Sequence, residues 1–163
     1  MSEARVSNSN SFVRRVIRKI IVLSLIALAG LIVMSMTAPL PTHLGARDGK
    51  LAPLPDSPNC VSSMTDKSAA MMEPLNVDSI EQPLAQLKQA IQSAIPEARL
   101  VTESENYLHY EFTSFLFRFV DDGEFLLDAE NQLVHFRSSS RVGYSDMGAN
   151  RKRIEKIRSA LAK

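Results

Sequence analysis

Three carboxylates fall within four residues in the second half of the chain, at Asp121, Asp122 and Glu124. Carboxylates this close raise one another's pKa, which suits acid–base catalysis, and their oxygens can also bind a divalent cation. Alternation along a strand would put Asp122 and Glu124 on one face, although Gly123 between them weakens a strand. The alternative is a solvated turn, or pairing of these carboxylates with the arginines nearby: Arg118, Arg137 and Arg141.

A second polar group follows with the spacing Arg137-x-x-x-Arg141-x-x-Tyr144-x-Asp146. Two guanidinium groups and a phenol near the N-terminus of a helix can hold an anion, because the first turn of a helix presents free N–H groups. The other interpretation is a network of arginines and carboxylates that braces the helix on a sheet. Both interpretations remain open from the sequence.

Cys60 is the single cysteine, so no internal disulfide can form. As a nucleophile it would need a base, and no His or acid stands in a recognisable relation to it, which favours a packed thiol. The three histidines, His43, His109 and His135, are far apart in sequence and none is at ligand spacing from Cys60. We therefore predict neither a zinc site nor a cofactor, and we expect His109 on the surface.

A long apolar run stands near the N-terminus, where Ile20 to Met36 carry no charge. At 1.5 Å per residue this run is about 26 Å long, and with its flanks it can reach across an apolar bilayer core of about 30 Å. A cleavable signal peptide is the competing interpretation, but its apolar region would be shorter, and cleavage after Ala38 would leave Pro39 next. We predict a transmembrane signal anchor over residues 20–38.

The first nineteen residues form a basic tip, which predicts the orientation of the anchor. Positive residues stay on the cytoplasmic side, so the N-terminus is expected in the cytoplasm and the rest of the chain outside it. In a Gram-negative bacterium this means the inner membrane with a periplasmic domain. The remainder of the chain is slightly acidic, so nucleic acid is not expected as a partner. The basic residues of the tip, opposed by Glu3 alone, are Arg5, Arg14, Arg15, Arg18 and Lys19.

Residues 39–73 have a different composition, rich in proline and polar residues, and they carry the string PDSPNCVSS. Such a segment cannot continue a helix, and we predict a semi-rigid extended tether. The folded domain is then expected over residues 74–163. The prolines of the tether are Pro39, Pro41, Pro53, Pro55 and Pro58.

Two amphipathic helices are predicted in this domain. The first runs from about 80 to 95, capped by Asp78 or Ser79 with Glu81 or Gln82 three residues on, and ends before Pro96. The second begins after Ser145 or Asp146. Its apolar stripe comprises Met147, Ile154, Ile157 and Leu161.

Between the helices the apolar pattern becomes that of strands. The segment 121–124 is interpreted as a turn or a bulged crossing, and 129–132 as the turn of a hairpin. A helix, an antiparallel meander and a second helix predict an α+β fold, a two-layer domain of about four to five strands with two flanking helices. The predicted strands are Arg99–Glu103, Tyr107–Thr113, Phe115–Val120, Phe125–Asp128 and Leu133–Ser138.

Three strings resemble an uncharacterised bacterial family, domain of unknown function 1499. They are LAPLPDSPNCVSS from Leu51, YLHYEFTSFLFRFVDDGEFLLD from Tyr107, and HFRSSSRVGYSDMGANRKRIEKIRSAL from His135. The resemblance implies a domain without an assigned activity. The chain departs from the family pattern at Leu54, where the family has a second cysteine in Cys-Pro-x-Ser-Pro-Asn-Cys, and at Gly123, where the family tends to have an aliphatic residue.

Three functions follow as hypotheses. The first is a non-catalytic, membrane-anchored domain that binds a protein partner or a small ligand. The second is a hydrolase built on Asp121, Asp122 and Glu124 together with Arg137, Arg141 and Tyr144, which requires these groups to share one pocket. The third is a carrier of apolar molecules, suggested by the alternating row Phe115, Phe117 and Phe119.

Overall fold

A computed structural model describes residues 3–77 and 82–162. The chain forms three helices and one antiparallel sheet. The elements in chain order are α1 (Glu3–Met36), β1 (Cys60–Ser62), β2 (Leu75–Asn76), α2 (Pro83–Ala94), β3 (Arg99–Ser104), β4 (Tyr107–Thr113), β5 (Val120–Asp128), β6 (Leu133–Ser140) and α3 (Ala149–Leu161).

Helix α1 contains the apolar run. Its stretch Phe12–Ser35 is 24 residues long and contains an 18-residue window with a mean hydropathy of 2.5; within this stretch only Ser35, at its end, is buried against the rest of the chain. By length and composition this is a helix that could cross a membrane, as an anchor or as a signal sequence. The helix ends at Met36, because Pro39 and Pro41 follow and cannot continue it.

The sheet has the strand order β1-β6-β5-β4-β3, with β2 also paired to β6. Helices α2 and α3 pack together on one face, where Leu87, Ile91, Phe125, Phe136 and Ile154 are fully buried. The predicted α+β architecture is confirmed. The sheet has six strands because β1 and β2, of three and two residues, are too short to show alternation in the sequence.

The row Phe115–Val120 is not a strand, contrary to the prediction. Residues 114–119 form a loop between β4 and β5, closed by the Ser114 N–H, which donates to the Phe119 carbonyl at 2.8 Å. Phe115 is 94% exposed. The alternating phenylalanines that suggested an apolar carrier therefore do not line a sheet face.

Strand β5 begins earlier than predicted and runs without a break through the segment 121–124, which is neither a turn nor a bulge. Gly123 makes this possible. A Cβ built at this position would lie 2.5 Å from Cε2 of Phe112, so the glycine lets the Phe112 ring pack directly over the strand. The glycine thus marks a close approach between neighbours in a continuous strand.

The helix starts also differ from the predicted ones. As described, α2 begins at Pro83, a residue suited to the first turn, while the predicted caps Asp78 and Ser79 lie outside the described residues. Helix α3 begins at Ala149, after a turn in which Met147 has a φ of 53°. Met147 is 89% exposed and does not belong to the buried stripe.

Residues 39–59 form a strap that covers the sheet face opposite α2 and α3. Leu51 packs there against Tyr107 and Leu126, and Leu54 is also buried. The sequence predicted an extended tether over 39–73, whereas in the structure the strap packs on the sheet and β1 joins the sheet edge. Leu51 and Leu54, which stand among the prolines, supply the buried contacts. In the sequence their apolar character indicates packing, but the proline-rich composition around them obscures it.

Candidate functional site

The strap-facing side of the sheet is built from alternate residues of three neighbouring strands. Strand register pairs His109 with Glu124 and Glu111 with Asp122 across β4 and β5, and Glu124 with Arg137 across β5 and β6. Residues that oppose each other in an antiparallel pair point to the same face. Sheet pairing therefore gathers carboxylates and an arginine on one covered surface.

Glu124 and Arg137 form a salt bridge at the centre of this surface. Arg137 Nη1 donates to Glu124 Oε2 at 3.0 Å, and their side chains are 2% and 0% exposed. The other carboxylate oxygen, Oε1, accepts from the Tyr107 hydroxyl at 2.8 Å and from the Gly45 N–H of the strap at 2.7 Å. Arg137 Nη2 donates to His43 Nε2 of the strap at 2.8 Å. Two strap residues are thus fastened to one buried ion pair.

Asp122 is the centre of a second group of charges. Arg141 donates to it twice, Nε to Oδ2 at 2.8 Å and Nη2 to Oδ1 at 2.7 Å, while His109 Nε2 donates to Oδ1 at 2.7 Å. Arg141 Nη2 also donates to Glu111 Oε1 at 2.5 Å, and Glu111 pairs with Arg99 at the sheet edge. The bidentate contact fixes the plane of the Arg141 guanidinium.

These contacts set the ionisation of the groups. Burial acts to raise the pKa of Asp122, but the hydrogen bonds from Arg141 and His109 outweigh it and hold the pKa below its usual value. The same opposition, with Arg141 and Arg99 as donors, lowers the pKa of Glu111. The hydrogen bond to Asp122 raises the pKa of Arg141, and burial followed by the nearby Glu124 charge raises that of Tyr107. The carboxylates are therefore ionised and the phenol neutral at physiological pH.

Each of the two arginines keeps a donor without a partner among the described residues. For Arg137 it is Nε, which is buried. For Arg141 it is Nη1, since its described hydrogen bonds use only Nε and Nη2. In Arg137 this N–H is buried without an acceptor, which is costly, whereas Arg141 Nη1 is not buried and is the donor of the two that a bound molecule can reach.

A cleft of about 510 Å³ opens between the strap and this surface. Its charged lining consists of Asp122, Arg137 and Arg141 with His43, so two guanidinium groups face one carboxylate. Proline rings and small polar side chains complete the walls, among them Pro39, Pro41, Pro55, Thr42, Ser57 and Ser139. The volume is within the range of small-molecule sites.

The structure separates the other predicted site residues from this cleft. Asp121 points to the helix-covered face, where it pairs with Arg153 of α3 at 2.5 Å. Arg118 lies in the exposed loop 114–119, and Tyr144 is 77% exposed. The constellation required by the hydrolase hypothesis is therefore divided, because the sheet lies between Asp121 and the pair Asp122 and Glu124.

Asp146 has a structural role at the start of α3. Its carboxylate accepts from the N–H groups of Gly148 at 3.0 Å and Asn150 at 2.8 Å, and the Asn150 side chain donates to it as well. These bonds hold the pKa of Asp146 low, although its partial burial acts to raise it. Asp146 thus binds N–H groups at the start of α3, but the N-cap residue is Gly148 and not Ser145 or Asp146 as the sequence predicted.

Cys60 is buried in β1, and its thiol donates to the Ser57 carbonyl at 3.1 Å. Burial raises the pKa of this thiol, although nearby Arg137 and Lys67 act to lower it. A neutral, packed thiol is a poor nucleophile. Leu54, at the position where the family pattern has its other cysteine, is buried as well.

Sequence reasoning missed several members of this surface, notably His43, Tyr107, His109 and Glu111. His109 was expected on the surface, but it is 2% exposed and therefore buried. Alternation did assign His109 and Glu111 to the polar face of β4; the error lay in taking this face to be solvated. The available signal was the presence of Arg99, Arg137 and Arg141 in the flanking segments, which can pair with the acidic residues of β4 and β5.

Across residues 3–77 and 82–162, no group of three or more His, Cys, Asp or Glu is arranged to hold a metal ion. One family model matches residues 50–161, and its description is Protein of unknown function (DUF1499). No curated protein and no solved structure matches the chain. The matched range includes β1 to β6, α2, α3 and the second half of the strap.

Proposed function

Since the chain belongs to the DUF1499 family, whose description assigns no function, we propose from its cleft that it is a membrane-anchored domain that binds a small molecule carrying a carboxylate or phosphate group. The observation that supports this proposal is the pair of guanidinium groups, Arg137 and Arg141, that line one cleft, with Nη1 of Arg141 unpartnered among the described residues. Helix α1 serves as the anchor in this proposal.

The charges of the lining favour an oxyanion as the ligand. Two guanidinium groups and one carboxylate line the cleft, whereas the partner carboxylates Glu124 and Glu111 do not, and guanidinium N–H groups bind carboxylate and phosphate oxygens with good geometry. The bidentate salt bridge of Arg141 with Asp122 holds this arginine in place before a ligand arrives. Preorganisation of this kind lowers the entropic cost of binding.

The anchor and the composition of the tip support an outward orientation. Phe12–Ser35, at about 1.5 Å per residue, is about 36 Å long and exceeds an apolar core of about 30 Å. Cationic residues at the N-terminus favour a cytoplasmic tip, so the domain would lie on the outer side of the inner membrane, in the periplasm. The ligand would then be met outside the cytoplasm.

Binding of simple oxyanions to the full-length protein in lipid nanodiscs tests the proposal. The probes are inorganic phosphate and citrate, titrated by calorimetry. We expect one saturable site, weakened at least about tenfold in Arg141→Lys, because a charge-assisted hydrogen bond contributes about 1.5–3 kcal/mol and lysine lacks the planar fork. Thr42→Trp, which adds bulk to the cleft wall without touching the ion pairs, is expected to weaken binding as well.

Arg151→Lys is the matched control, since this arginine lies on α3 and donates to the Ala69 carbonyl, away from the cleft. Its affinity for the probes should equal that of the wild type. The oxyanion site would be overturned if the wild-type protein did not bind the probes. It would also be overturned if Thr42→Trp and Arg141→Lys both bound them with the affinity of the wild type.

A further inference from the structure

The loop 114–119 exposes the most apolar surface of the folded domain. Phe115 is 94% exposed, Leu116 62% and Phe117 36%, and the three are consecutive. Contiguous large apolar side chains at the surface mark a site of contact with a partner or a membrane. The neighbours of this loop distinguish between a protein partner and a membrane.

The loop is fastened to the end of helix α1. The Ser35 hydroxyl donates to the Arg118 carbonyl at 2.5 Å, and Ser35 is 1% exposed. Ser35 is also the last residue of the apolar stretch Phe12–Ser35. The loop therefore lies at the level where α1 passes from apolar to polar composition, which is the boundary between hydrocarbon and headgroups if α1 spans a bilayer.

Positive charges surround the apolar tip. Arg118 of the loop is exposed, and Lys152 and Lys156 of α3 share a surface groove with Phe115, together with Glu97 and with Arg153, which is paired with Asp121. Apolar side chains flanked by cations are typical of segments that enter the interface of a membrane containing anionic lipids. The charge pattern matches a lipid surface better than it matches an apolar protein surface.

We propose that loop 114–119 inserts Phe115, Leu116 and Phe117 into the leaflet from which α1 emerges, as a second membrane contact of the domain. This proposal rests on the proposed anchoring by α1. Two contacts fix the orientation of the domain, whereas a single helix would let it swing. The cleft then lies close to the membrane, since its wall residues Pro39 and Pro41 are three and five residues beyond Met36, the last residue of α1.

The chain contains no tryptophan, so single tryptophans report on chosen positions without background. We would prepare the full-length protein in vesicles of phosphatidylcholine with phosphatidylglycerol, with and without brominated acyl chains, and compare three variants. Phe115→Trp probes the loop and Leu25→Trp the middle of α1. Glu130→Trp is the control in the turn at the far end of β5, about 25 Å from the loop at 3.3 Å per residue.

We expect brominated lipid to quench most of the emission of Leu25→Trp and Phe115→Trp, with a blue-shifted maximum for both, and to leave Glu130→Trp unchanged. Quenching of Phe115→Trp should decrease when Lys152→Gln and Lys156→Gln are added. If Leu25→Trp is quenched and Phe115→Trp is not, the loop proposal is overturned while the anchor stands. A blue-shifted but unquenched Phe115→Trp would mean that protein covers the loop, which also overturns it. An unquenched Leu25→Trp would overturn the anchor itself.

Discussion

The two faces of the central sheet are made by alternate residues of the same strands, yet they are held by different forces. On the helix-covered face Phe125, Val134 and Phe136 are fully buried among apolar side chains of α2 and α3. On the strap-covered face Glu124 and Arg137 are buried to the same extent as an ion pair. The helix-covered face is stabilised by shape complementarity and buried apolar area, whereas the strap-covered face is stable only if each buried charge is paired with an opposite charge.

This difference bears on function. Apolar burial contributes about 25 cal/mol per Å² without directional demands, so the helix-covered face can account for most of the stability of the domain. A buried ion pair, in contrast, must offset the desolvation of both charges, and apolar replacements are often as stable. Charges that remain buried beside a cleft therefore fit the binding role that we propose.

Breaking the central ion pair is expected to have the largest effect. Arg137→Met leaves the Glu124 charge buried without its cation, which costs about 3–5 kcal/mol. Adding Glu124→Gln removes that charge, keeps an acceptor for Tyr107, and should restore much of the lost stability.

The comparison on the helix-covered face is Phe136→Ala, which costs about 3–5 kcal/mol because it leaves a cavity. The free energy of unfolding is measured by denaturant titration with circular dichroism, in detergent. A double variant no more stable than Arg137→Met would contradict the distinction between the faces.

Acid should weaken the strap-covered face selectively. The pKa values of Asp122 and Glu111 are lowered in the folded protein, so the stability they provide is complete above their ordinary values of about 3.9 and 4.3 and is lost as pH falls further. We expect the free energy of unfolding to decline below about pH 4. Asp122→Asn should be less stable than the wild type at pH 7 and should show a shallower decline. Parallel pH profiles for the two proteins would exclude a contribution from Asp122.

The smallest of the three effects concerns packing on the helix-covered face. Gly123→Ala would bring a methyl group to 2.5 Å from the Phe112 ring, and overpacking of this kind costs about 1–3 kcal/mol. Adding Phe112→Leu should recover part of the loss, because it removes the contacted ring atoms. Gly30→Ala is a control, since nothing lies within 4 Å of its added Cβ. If Gly123→Ala unfolds at the same denaturant concentration as the wild type, the close approach is not important.

The sequence predicted the apolar part of α1 as a span over 20–38, the amphipathic helices α2 and α3, and the strands β3, β4 and β6, because each has enough residues to show its pattern. It did not predict that α1 begins at Glu3 and includes the basic tip. It failed at the segment 115–124. The alternation of Phe115, Phe117 and Phe119 is typical of a strand, and the acidic run around Gly123 is typical of a turn. In the structure the phenylalanines lie in a loop and the acidic run lies in β5, because ion pairs and the packing of the Phe112 ring compensate for the burial of its polar residues.

The candidate site could be predicted only in part. Arg137, Arg141 and Asp122 were recognised as residues suited to binding, and the structure gathers them at one cleft. Their partners His43 and Glu111 come from other segments, and the direction of each side chain depends on strand register. Arg118 and Tyr144 lie in exposed segments outside the strands, and Asp121 lies on the opposite face, since one residue along a strand reverses the face.

Local composition and period by themselves determined the apolar span, the helices, the strands β3, β4 and β6 and the family resemblance, because these depend on neighbours in the chain. Tertiary structure alone decided that the strap covers the sheet, that the polar face of β4 is buried, and that loop 114–119 lies against the end of α1. The physical reason is that charges far apart in sequence can be buried only where pairing across strands brings each to its partner.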